Sequence, residues 1–321
     1  MTENSSPELK HLNYYRRERN WTQNFFISRN SRILDIGCGH GLLGKYLQST
    51  LDAEVTGVDL TKTLADEEIK SIREAWLSHH VLSFPEQAMS DDDLERFTLC
   101  FGCFGDDPFI APITGRNNIV AVKRTADEKV PIFADNWHTD WSFQKNPPAG
   151  TCLFGIEIPP VGGDTLFANQ HKALDEMPST LRGKLDGKLA IHSAALPYAP
   201  SGGYGDKDRE MGRSMDIRAS DEALAKQLHP IIKNHPETGR EGIFGTFGYI
   251  IGIDGMENQE AMKLLLELAG WQGQEQFQYQ HKWKKDMLVM WDNRSVLHKA
   301  TGGYQGHDRL LHRTTIAAYQ A

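Results

Sequence analysis

The sequence is poor in cysteine, lacks a long apolar run and carries no surplus of positive charge. Its four cysteines among 321 residues follow no disulfide-framework spacing, which indicates a reducing compartment. No apolar stretch approaches the roughly 20 residues of a membrane span, and the first residues lack the basic and apolar regions of a signal peptide. A formal net charge of −8 without a Lys/Arg run argues against a nucleic-acid surface. We therefore expect a cytoplasmic protein that binds neither a membrane nor nucleic acid.

What is present is the composition of a folded protein, with 39% apolar and 24% charged residues. Apolar residues recur at helical spacing over residues 66–77 and 258–268, and Ser90 with the acids that follow it is typical of a helix start. Between these segments, short β-type runs alternate with Gly/Pro turns. This pattern predicts, for residues 51–321, a mainly β (α+β) domain: a double-stranded β-helix, or jelly roll, with flanking helices.

A different pattern occupies the N-terminal segment. An apolar strand runs into a glycine-rich turn that contains Asp35, Gly37 and Gly39, and the next apolar strand ends in Asp59. Glycines let a backbone approach a ligand closely, and an acid at a strand end can hold ribose hydroxyls. This segment resembles the cofactor loop of S-adenosylmethionine-dependent methyltransferases, so such an enzyme is the alternative function. Because one and a half βα units cannot bury both faces of a three-layer sheet, we interpret residues 1–50 as a truncated methyltransferase-like extension.

The most informative chemical pattern is His138-Thr139-Asp140, followed far downstream by His298. Two imidazoles and one carboxylate can occupy one face of an octahedral iron and leave three positions open. Side chains two residues apart on an extended strand point the same way, so His138 and Asp140 can bind one ion together. The third ligand must then come from a distant strand, where His298 is well placed. By itself, the short His-x-Asp pattern also fits a strand that happens to expose a histidine and an acid.

Two further patterns occur in the C-terminal half of the sequence. The glycines of Gly162-Gly163-Asp164-Thr165 permit a tight turn that presents the Thr165 hydroxyl. Near the C-terminus, Arg309 and Arg313 share one face of a strand, and arginine is suited to gripping carboxylates with two hydrogen bonds. The alternative interpretation of the two arginines is a pair of surface salt bridges.

Together these residues resemble the taurine dioxygenase family of Fe(II)/2-oxoglutarate-dependent oxygenases, over about residues 51–319. The resemblance implies a reaction in which 2-oxoglutarate and O₂ are consumed, succinate and CO₂ are released, and a small acid is hydroxylated. If the hydroxylated carbon bears a heteroatom, a C–S, C–O or C–N bond then breaks. The family also suggests a homodimer or homotetramer. The matching segments are Asn136-Trp137-His138-Thr139-Asp140 with Phe143, Pro147-Pro148-Ala149-Gly150, Gly162-Gly163-Asp164-Thr165, Trp291-Asp292-Asn293-Arg294 with His298, and Arg309 with Arg313.

The resemblance also implies a role for each matching side chain. His138, Asp140 and His298 correspond to the residues that bind Fe(II) and are therefore the catalytic set. Thr165 and Arg309 correspond to the residues that hold the distal carboxylate of 2-oxoglutarate. Arg313 corresponds to the residue that holds the acidic group of the prime substrate.

The chain departs from the taurine enzyme where taurine would be contacted. A histidine and a tyrosine of that site correspond to Asp107 and Ile110, an asparagine to Ala134, and a phenylalanine to Tyr249. These changes argue against taurine and favour another carboxylate or sulfonate held by Arg313. Asp107 is either a solvated loop acid or a residue that meets a cationic group of the substrate.

A Gly/Tyr-rich segment with charged residues after it, residues 199–213, has no counterpart among these motifs. A loop of this length inside a folded domain is either a functional lid or disordered. If it is a lid, the residues near Tyr198 and Tyr204 would close over the substrate.

Overall fold

The computed structural model describes residues 33–35 and 51–318, which form mostly short strands. In chain order the strands are β1 Ile33–Asp35, β2 Asp52–Thr56, β3 Val81–Phe84, β4 Val120–Arg124, β5 Gly150–Glu157, β6 Thr165–Asn169, β7 Leu189–Ser193, β8 Lys226–Pro230, β9 Ile232–Asn234, β10 Glu241–Ile243, β11 Ile250–Ile253, β12 Gln278–His281, β13 Leu288–Asp292, β14 Val296–Ala300 and β15 Arg309–Ile316. The helices are α1 Asp66–His79, α2 Asp91–Leu99, α3 Gln170–Asp175, α4 Ser179–Leu185, α5 Ala195–Tyr198, α6 Asp206–Glu210 and α7 Asn258–Gln272, with 3-10 turns at Asp221–Leu224 and Glu275–Phe277.

The largest sheet has seven strands in the order β1-β2-β3-β13-β5-β15-β4. A three-stranded sheet, β12-β6-β14, packs against it, and the smaller sheets β11-β7-β8 and β10-β9 complete the β structure of the described part. Strands β1, β2 and β3 run parallel, whereas the other pairs of the large sheet are antiparallel. This arrangement confirms the predicted mainly β jelly roll with flanking helices.

Alternation along the central strands divides the core into two layers. On β5, Leu153 faces the smaller sheet and packs in one cluster with Phe167, while Cys152 and Phe154 face the helices. On that second side, Trp76 of α1 belongs to the cluster that covers the sheet. Successive strand residues point to opposite faces, so a sheet buried on both sides reads as a continuous apolar run. The sheet that carries the predicted arginines is therefore rigidly held from both sides.

Local sequence signals account for the starts of α2 and α7. At the start of α2, the Ser90 hydroxyl accepts from the Asp93 N–H and the Asp93 carboxylate accepts from the Ser90 N–H, a capping box. Helix α7 begins where predicted but continues beyond residue 268 to Gln272. Two side chains of its last turn are anchored: the Trp271 indole donates to the Ala173 carbonyl at 2.7 Å, and the Gln272 amide donates to buried acceptors. These long-range bonds extend the helix past its local stop signal.

The N-terminal strand β1 pairs in parallel with β2, and Asp35 lies opposite Thr56. Gly37 and Gly39 of the methyltransferase-like turn lie outside the described residues. Asp59 is exposed and is engaged locally, because it accepts from Thr61 at 2.6 Å and pairs with a neighbouring lysine. The proposed division of the chain at residue 50 stays a prediction. Within the described ranges, we find no helix whose length and apolar content would suffice to cross a membrane.

Candidate active site

Backbone pairing brings the two predicted histidine ligands together. The His138 N–H donates to the His298 carbonyl at 3.0 Å, and the His298 N–H donates to the His138 carbonyl at 2.8 Å. The extended strand expected for residues 138–140 is confined to this single bridge, since Asp140 opens a turn. Trp141, in that turn, has a left-handed φ of 49°. The turn redirects the Asp140 side chain, so the pair is not aligned by strand alternation alone.

The three side chains converge on a volume that one ion can fill. Oδ1 of Asp140 lies 3.8 Å from Nε2 of His138 and 3.7 Å from Nε2 of His298. One ligand atom from each residue falls within 4.8 Å of the other two. Two imidazole nitrogens and one carboxylate oxygen are the donor set of a facial triad. The side chains therefore fit a divalent iron with positions left open.

The protonation states also suit metal binding. Nδ1 of His138 donates to the Asn136 carbonyl at 2.9 Å, which leaves its Nε2 lone pair directed at Asp140. Burial lowers the pKa of His298 to about 3 and lowers the pKa of His138. Burial works in the opposite direction on Asp140, but His298, Arg313 and His138 outweigh it and its pKa is lowered. Neutral imidazoles and an ionised carboxylate are the forms that bind metals.

A chain of hydrogen bonds orients the carboxylate from behind. The Thr151 hydroxyl donates to Oδ2 of Asp140 at 2.6 Å and accepts from the Asn293 amide at 2.9 Å. The Trp291 indole in turn donates to Oδ1 of Asn293 at 2.9 Å. Such partners fix the orientation of a metal ligand and tune its affinity. Sequence reasoning missed Thr151, since nothing in the local pattern connects this strand residue with Asp140.

The turn that leads from β13 to β14 is held by a buried ionic network. Asp292 is fully buried and accepts from His235 at 2.9 Å and from the Arg294 guanidinium at 2.8 Å. Arg294 also pairs with Glu237 at 2.6 Å. The structure thereby explains the Trp291-Asp292-Asn293-Arg294 motif: it fixes the turn from which the strand with His298 departs.

Arg309 and Thr165 line the same cavity and fit an anionic ligand. Arg309 is only 6% exposed, and its Nε has no hydrogen-bond partner among the described residues. Burial lowers its pKa. The Thr165 oxygen accepts from the Trp283 indole at 2.9 Å, which leaves its own hydrogen to donate. The adjoining glycine turn is sterically required, because a Cβ on Gly162 (φ 65°) would lie 2.6 Å from the Gly302 carbonyl oxygen.

Arg313 points toward the candidate iron ligands and carries its own counter-ions. Its guanidinium pairs with Asp107, and its Nη1 lies 3.9 Å from Oδ1 of Asp140. The same group lies 5.2 Å from the Trp141 ring centre, and the Trp141 indole donates to Asp107 at 2.9 Å. Burial raises the pKa of Asp107, and Arg313 acts against this rise. Asp107 is thus not a solvated loop acid, and neither Arg309 nor Arg313 forms a surface salt bridge.

Aromatic side chains enclose the other side of the site. Tyr249 is buried and contacts the His138 ring edge to face, with ring centres 6.4 Å apart. Its ring also packs on Phe143 at 5.1 Å. Tyr198 packs on Trp141 at 5.4 Å. These residues belong to one apolar cluster with Phe109, Ile110, Met215 and Ile217.

The segment of residues 199–213 packs against the cavity rather than away from it. The Tyr204 hydroxyl accepts from the Ala134 N–H at 2.9 Å, and Ala134 has a left-handed φ of 59°. Arg213, another residue that sequence reasoning missed, lines the cavity and pairs with Asp208 and Glu128. The Arg213 side chain is 3% exposed. These contacts favour the lid interpretation over disorder.

One cavity of about 670 Å³, including its solvent-open mouth, collects most of the predicted site. Asp107 and Tyr249 lie outside its lining and contact it through Arg313 and His138, respectively. The predicted residues that line it are His138, Asp140, Thr165, His298, Arg309 and Arg313.

The chain is similar to known proteins over most of its length. Residues 43–315 match the family model described as taurine catabolism dioxygenase TauD, TfdA family. An alkylsulfatase of Acinetobacter baylyi is 28% identical over 275 residues, which are 84% of this chain and 83% of that protein. An alpha-ketoglutarate-dependent 2,4-dichlorophenoxyacetate dioxygenase of Cupriavidus pinatubonensis is 31% identical over 265 residues, 77% of this chain and 88% of that protein.

Among solved structures, a taurine dioxygenase from Burkholderia xenovorans superimposes with a TM-score of 0.69 and 27% identity, covering 84% of this chain and 89% of that one. The family match spans most of the chain and contains every residue of the candidate site. The chain therefore belongs to the TauD, TfdA family and is an Fe(II)- and 2-oxoglutarate-dependent dioxygenase that takes O₂ as a cosubstrate.

Proposed function

We propose that His138, Asp140 and His298 bind the Fe(II) of this dioxygenase. The observation that carries the proposal is the convergence of their ligand atoms within 4.8 Å in a buried site. When bound, Fe(II) with 2-oxoglutarate and O₂ supplies the oxidising chemistry, and the protein positions the C–H bond that is attacked. Asp140 offers one oxygen to the ion while Thr151 holds the other.

Thr165 and Arg309 hold the distal carboxylate of 2-oxoglutarate in this proposal. A buried guanidinium with an unpaired Nε costs free energy until an anion satisfies it. The Thr165 hydroxyl supplies a further donor in the same cavity. These groups fix the orientation of the cosubstrate relative to the three iron ligands.

The prime substrate in this proposal is a small organic acid with an apolar or aromatic body. Arg313 supports the acid assignment because its buried guanidinium lines the cavity next to the proposed iron ligands. Tyr249 and the cluster around it support the apolar body, since they cover the same side of the site. Relatives named for alkyl sulfates and for 2,4-dichlorophenoxyacetate act on compounds of this kind. Hydroxylation beside the ester or ether oxygen would then break a C–O bond.

The iron assignment is tested by the visible spectrum recorded without oxygen after addition of Fe(II) and then 2-oxoglutarate. We expect a weak charge-transfer band in the wild-type protein and none in His138→Ala, which also loses the substrate-independent turnover of 2-oxoglutarate. His307→Ala is the matched control, because His307 lies in the turn before β15 and outside the cavity lining. A full band in His138→Ala would show that the ligand set is wrong.

The cellular compartment, the partners and the oligomeric state are inferred from the composition and the family. The few cysteines and the net charge of −8 support a cytoplasmic protein without a nucleic-acid partner. A homodimer or homotetramer is proposed from the family, and the mass of the particle in solution, measured by light scattering, distinguishes either from a monomer.

A further inference from the structure

The cation proposed to hold the substrate is already neutralised by the protein itself. Arg313 is 5% exposed and pairs with Asp107, whose side chain is 10% exposed. The Trp141 indole donates to the same Asp107 oxygen at 2.9 Å and holds the carboxylate in this position. A buried arginine that has a carboxylate partner does not attract a second anion as an unpartnered arginine would.

The charges of the site that holds Fe(II) and 2-oxoglutarate also disfavour a further anion, an argument that rests on the proposed function. Fe(II) and Arg309 together carry as much positive charge as Asp140 and 2-oxoglutarate carry negative charge. The Asp107–Arg313 pair is neutral as well. A substrate acid that entered with this pair intact would therefore bring an uncompensated negative charge into a buried site, which is strongly unfavourable.

Asp107 has a route away from Arg313. The residues on either side of it, Asp106 and Pro108, are both exposed, so its loop lies at the surface. A carboxylate that rotates outward there exchanges the Arg313 guanidinium and the Trp141 indole for water, whereas Arg313 on the buried strand cannot follow. The two partners of the ion pair thus differ in their freedom to leave.

We propose that Asp107 is an internal counter-ion that the acidic group of the substrate must displace from Arg313, so that Asp107 sets the selection among acids. A small anion gains only the guanidinium and does not displace Asp107. An acid with an apolar body also buries surface against the aromatic cluster, and that gain drives the exchange. The carboxylate at position 107 thereby makes the site selective for amphipathic acids.

The test compares binding of phenoxyacetate and its uncharged analogue phenoxyacetamide by isothermal titration calorimetry. Asp107→Asn keeps the shape and an acceptor for the Trp141 indole but removes the competing charge. We expect this variant to bind phenoxyacetate at least roughly tenfold more tightly than the wild type, the size of one charge-assisted hydrogen bond. Phenoxyacetamide should bind both proteins within about twofold, since it does not compete for a counter-ion.

Matched variants separate selection from a structural role. Asp106→Asn removes the same charge from the neighbouring exposed position and should leave both affinities unchanged. The gain for phenoxyacetate should vanish in Asp107→Asn/Arg313→Gln, because no free guanidinium remains. Asp107→Ser serves as a second variant if Asp107→Asn unfolds, and thermal melts report on both.

Three results would overturn the inference: no tighter phenoxyacetate binding in a folded Asp107 variant, an equal gain for phenoxyacetamide, or a gain that persists without Arg313. If neither the wild type nor any variant binds phenoxyacetate, the inference is overturned in the same way as by the first result. The visible band of the same variants with Fe(II) and 2-oxoglutarate reports separately on the iron ligands. Failure of the iron assignment is therefore distinguishable from failure of the counter-ion assignment.

Discussion

Replacing Thr151 by valine tests whether the carboxylate ligand depends on the residue behind it. Thr151 is fully buried, and its hydroxyl donates to Oδ2 of Asp140 at 2.6 Å. Valine keeps the shape of threonine and removes that donor. It also removes the acceptor of the Asn293 amide, which bonds to the same hydroxyl at 2.9 Å. The substitution therefore removes the hydrogen bond that orients Asp140 without altering any proposed iron ligand.

The magnitude follows from the charge on the acceptor. A hydrogen bond to a charged group contributes about 1.5–3 kcal/mol, which corresponds to roughly ten- to hundredfold in an equilibrium constant. Loss of an outer partner of a metal ligand costs about the same factor in metal affinity. We expect Thr151→Val to weaken Fe(II) binding by about ten- to hundredfold. The unpaired Asn293 amide should also lower the free energy of unfolding by roughly 1–3 kcal/mol.

Fe(II) affinity is measured without oxygen by competition with a chromophoric chelator, and unfolding by urea titration. Thr315→Val is the control, since Thr315 lies directly across from Thr151 on β15 and is equally buried. Its hydroxyl has no hydrogen-bond partner among the described residues, so its loss should leave the Fe(II) affinity unchanged and should not lower the free energy of unfolding. Wild-type Fe(II) affinity in a folded Thr151→Val protein would refute the idea that Thr151 orients an iron ligand.

Two further predictions concern the cosubstrate and the acid sensitivity of the fold. Arg309→Gln should weaken 2-oxoglutarate binding at least roughly thirtyfold, the cost of about 2 kcal/mol for truncating a buried charge pair, and leave the Fe(II) affinity within about twofold; unchanged 2-oxoglutarate affinity in calorimetry would contradict it. Burial lowers the pKa of His281 to about 4 from 6.5, so the unfolded chain binds more protons between these values. His281 should therefore remove roughly 1.4 kcal/mol of stability per pH unit as the pH falls from about 6.5 toward 4. The free energy of unfolding, measured by urea titration at several pH values, should fall less steeply with decreasing pH in His281→Gln, by that amount. The same pH dependence in both proteins would show that His281 is not the cause.

Local patterns in the sequence predict the fold well because its elements are fixed by nearby residues. The capping box at Ser90 and the start of α7 depend on contacts within one turn. The buried strand at Val81–Phe84 is likewise a short local run, which Pro85 follows. The predicted end of α7 was wrong because the Trp271 and Gln272 side chains donate hydrogen bonds to residues about a hundred positions away. Long-range anchors of this kind leave no local signal.

In the candidate site, too, local patterns predict some features and long-range contacts determine the others. Motif and spacing identify His138, Asp140 and His298, yet they assign the alignment of the first two to a strand. In the structure a single backbone bridge joins the two histidines, and a left-handed Trp141 turns Asp140 toward them. Thr151 stayed unpredicted for a related reason. A hydroxyl on a neighbouring strand becomes part of the site only through the sheet that places it there.

Asp107 marks the limit of reasoning from the sequence. A comparison of loop positions places it near the substrate, and its two sequence interpretations were solvent and a cationic substrate group. Both omitted the partner that the structure supplies, Arg313, which lies 206 positions along the chain. A buried guanidinium must be satisfied by some anion, but the sequence does not say whether that anion belongs to the ligand or to the protein. In the exchange that we propose, substrate selection depends on this pair of residues, because an acid that binds Arg313 must first replace the protein's own carboxylate.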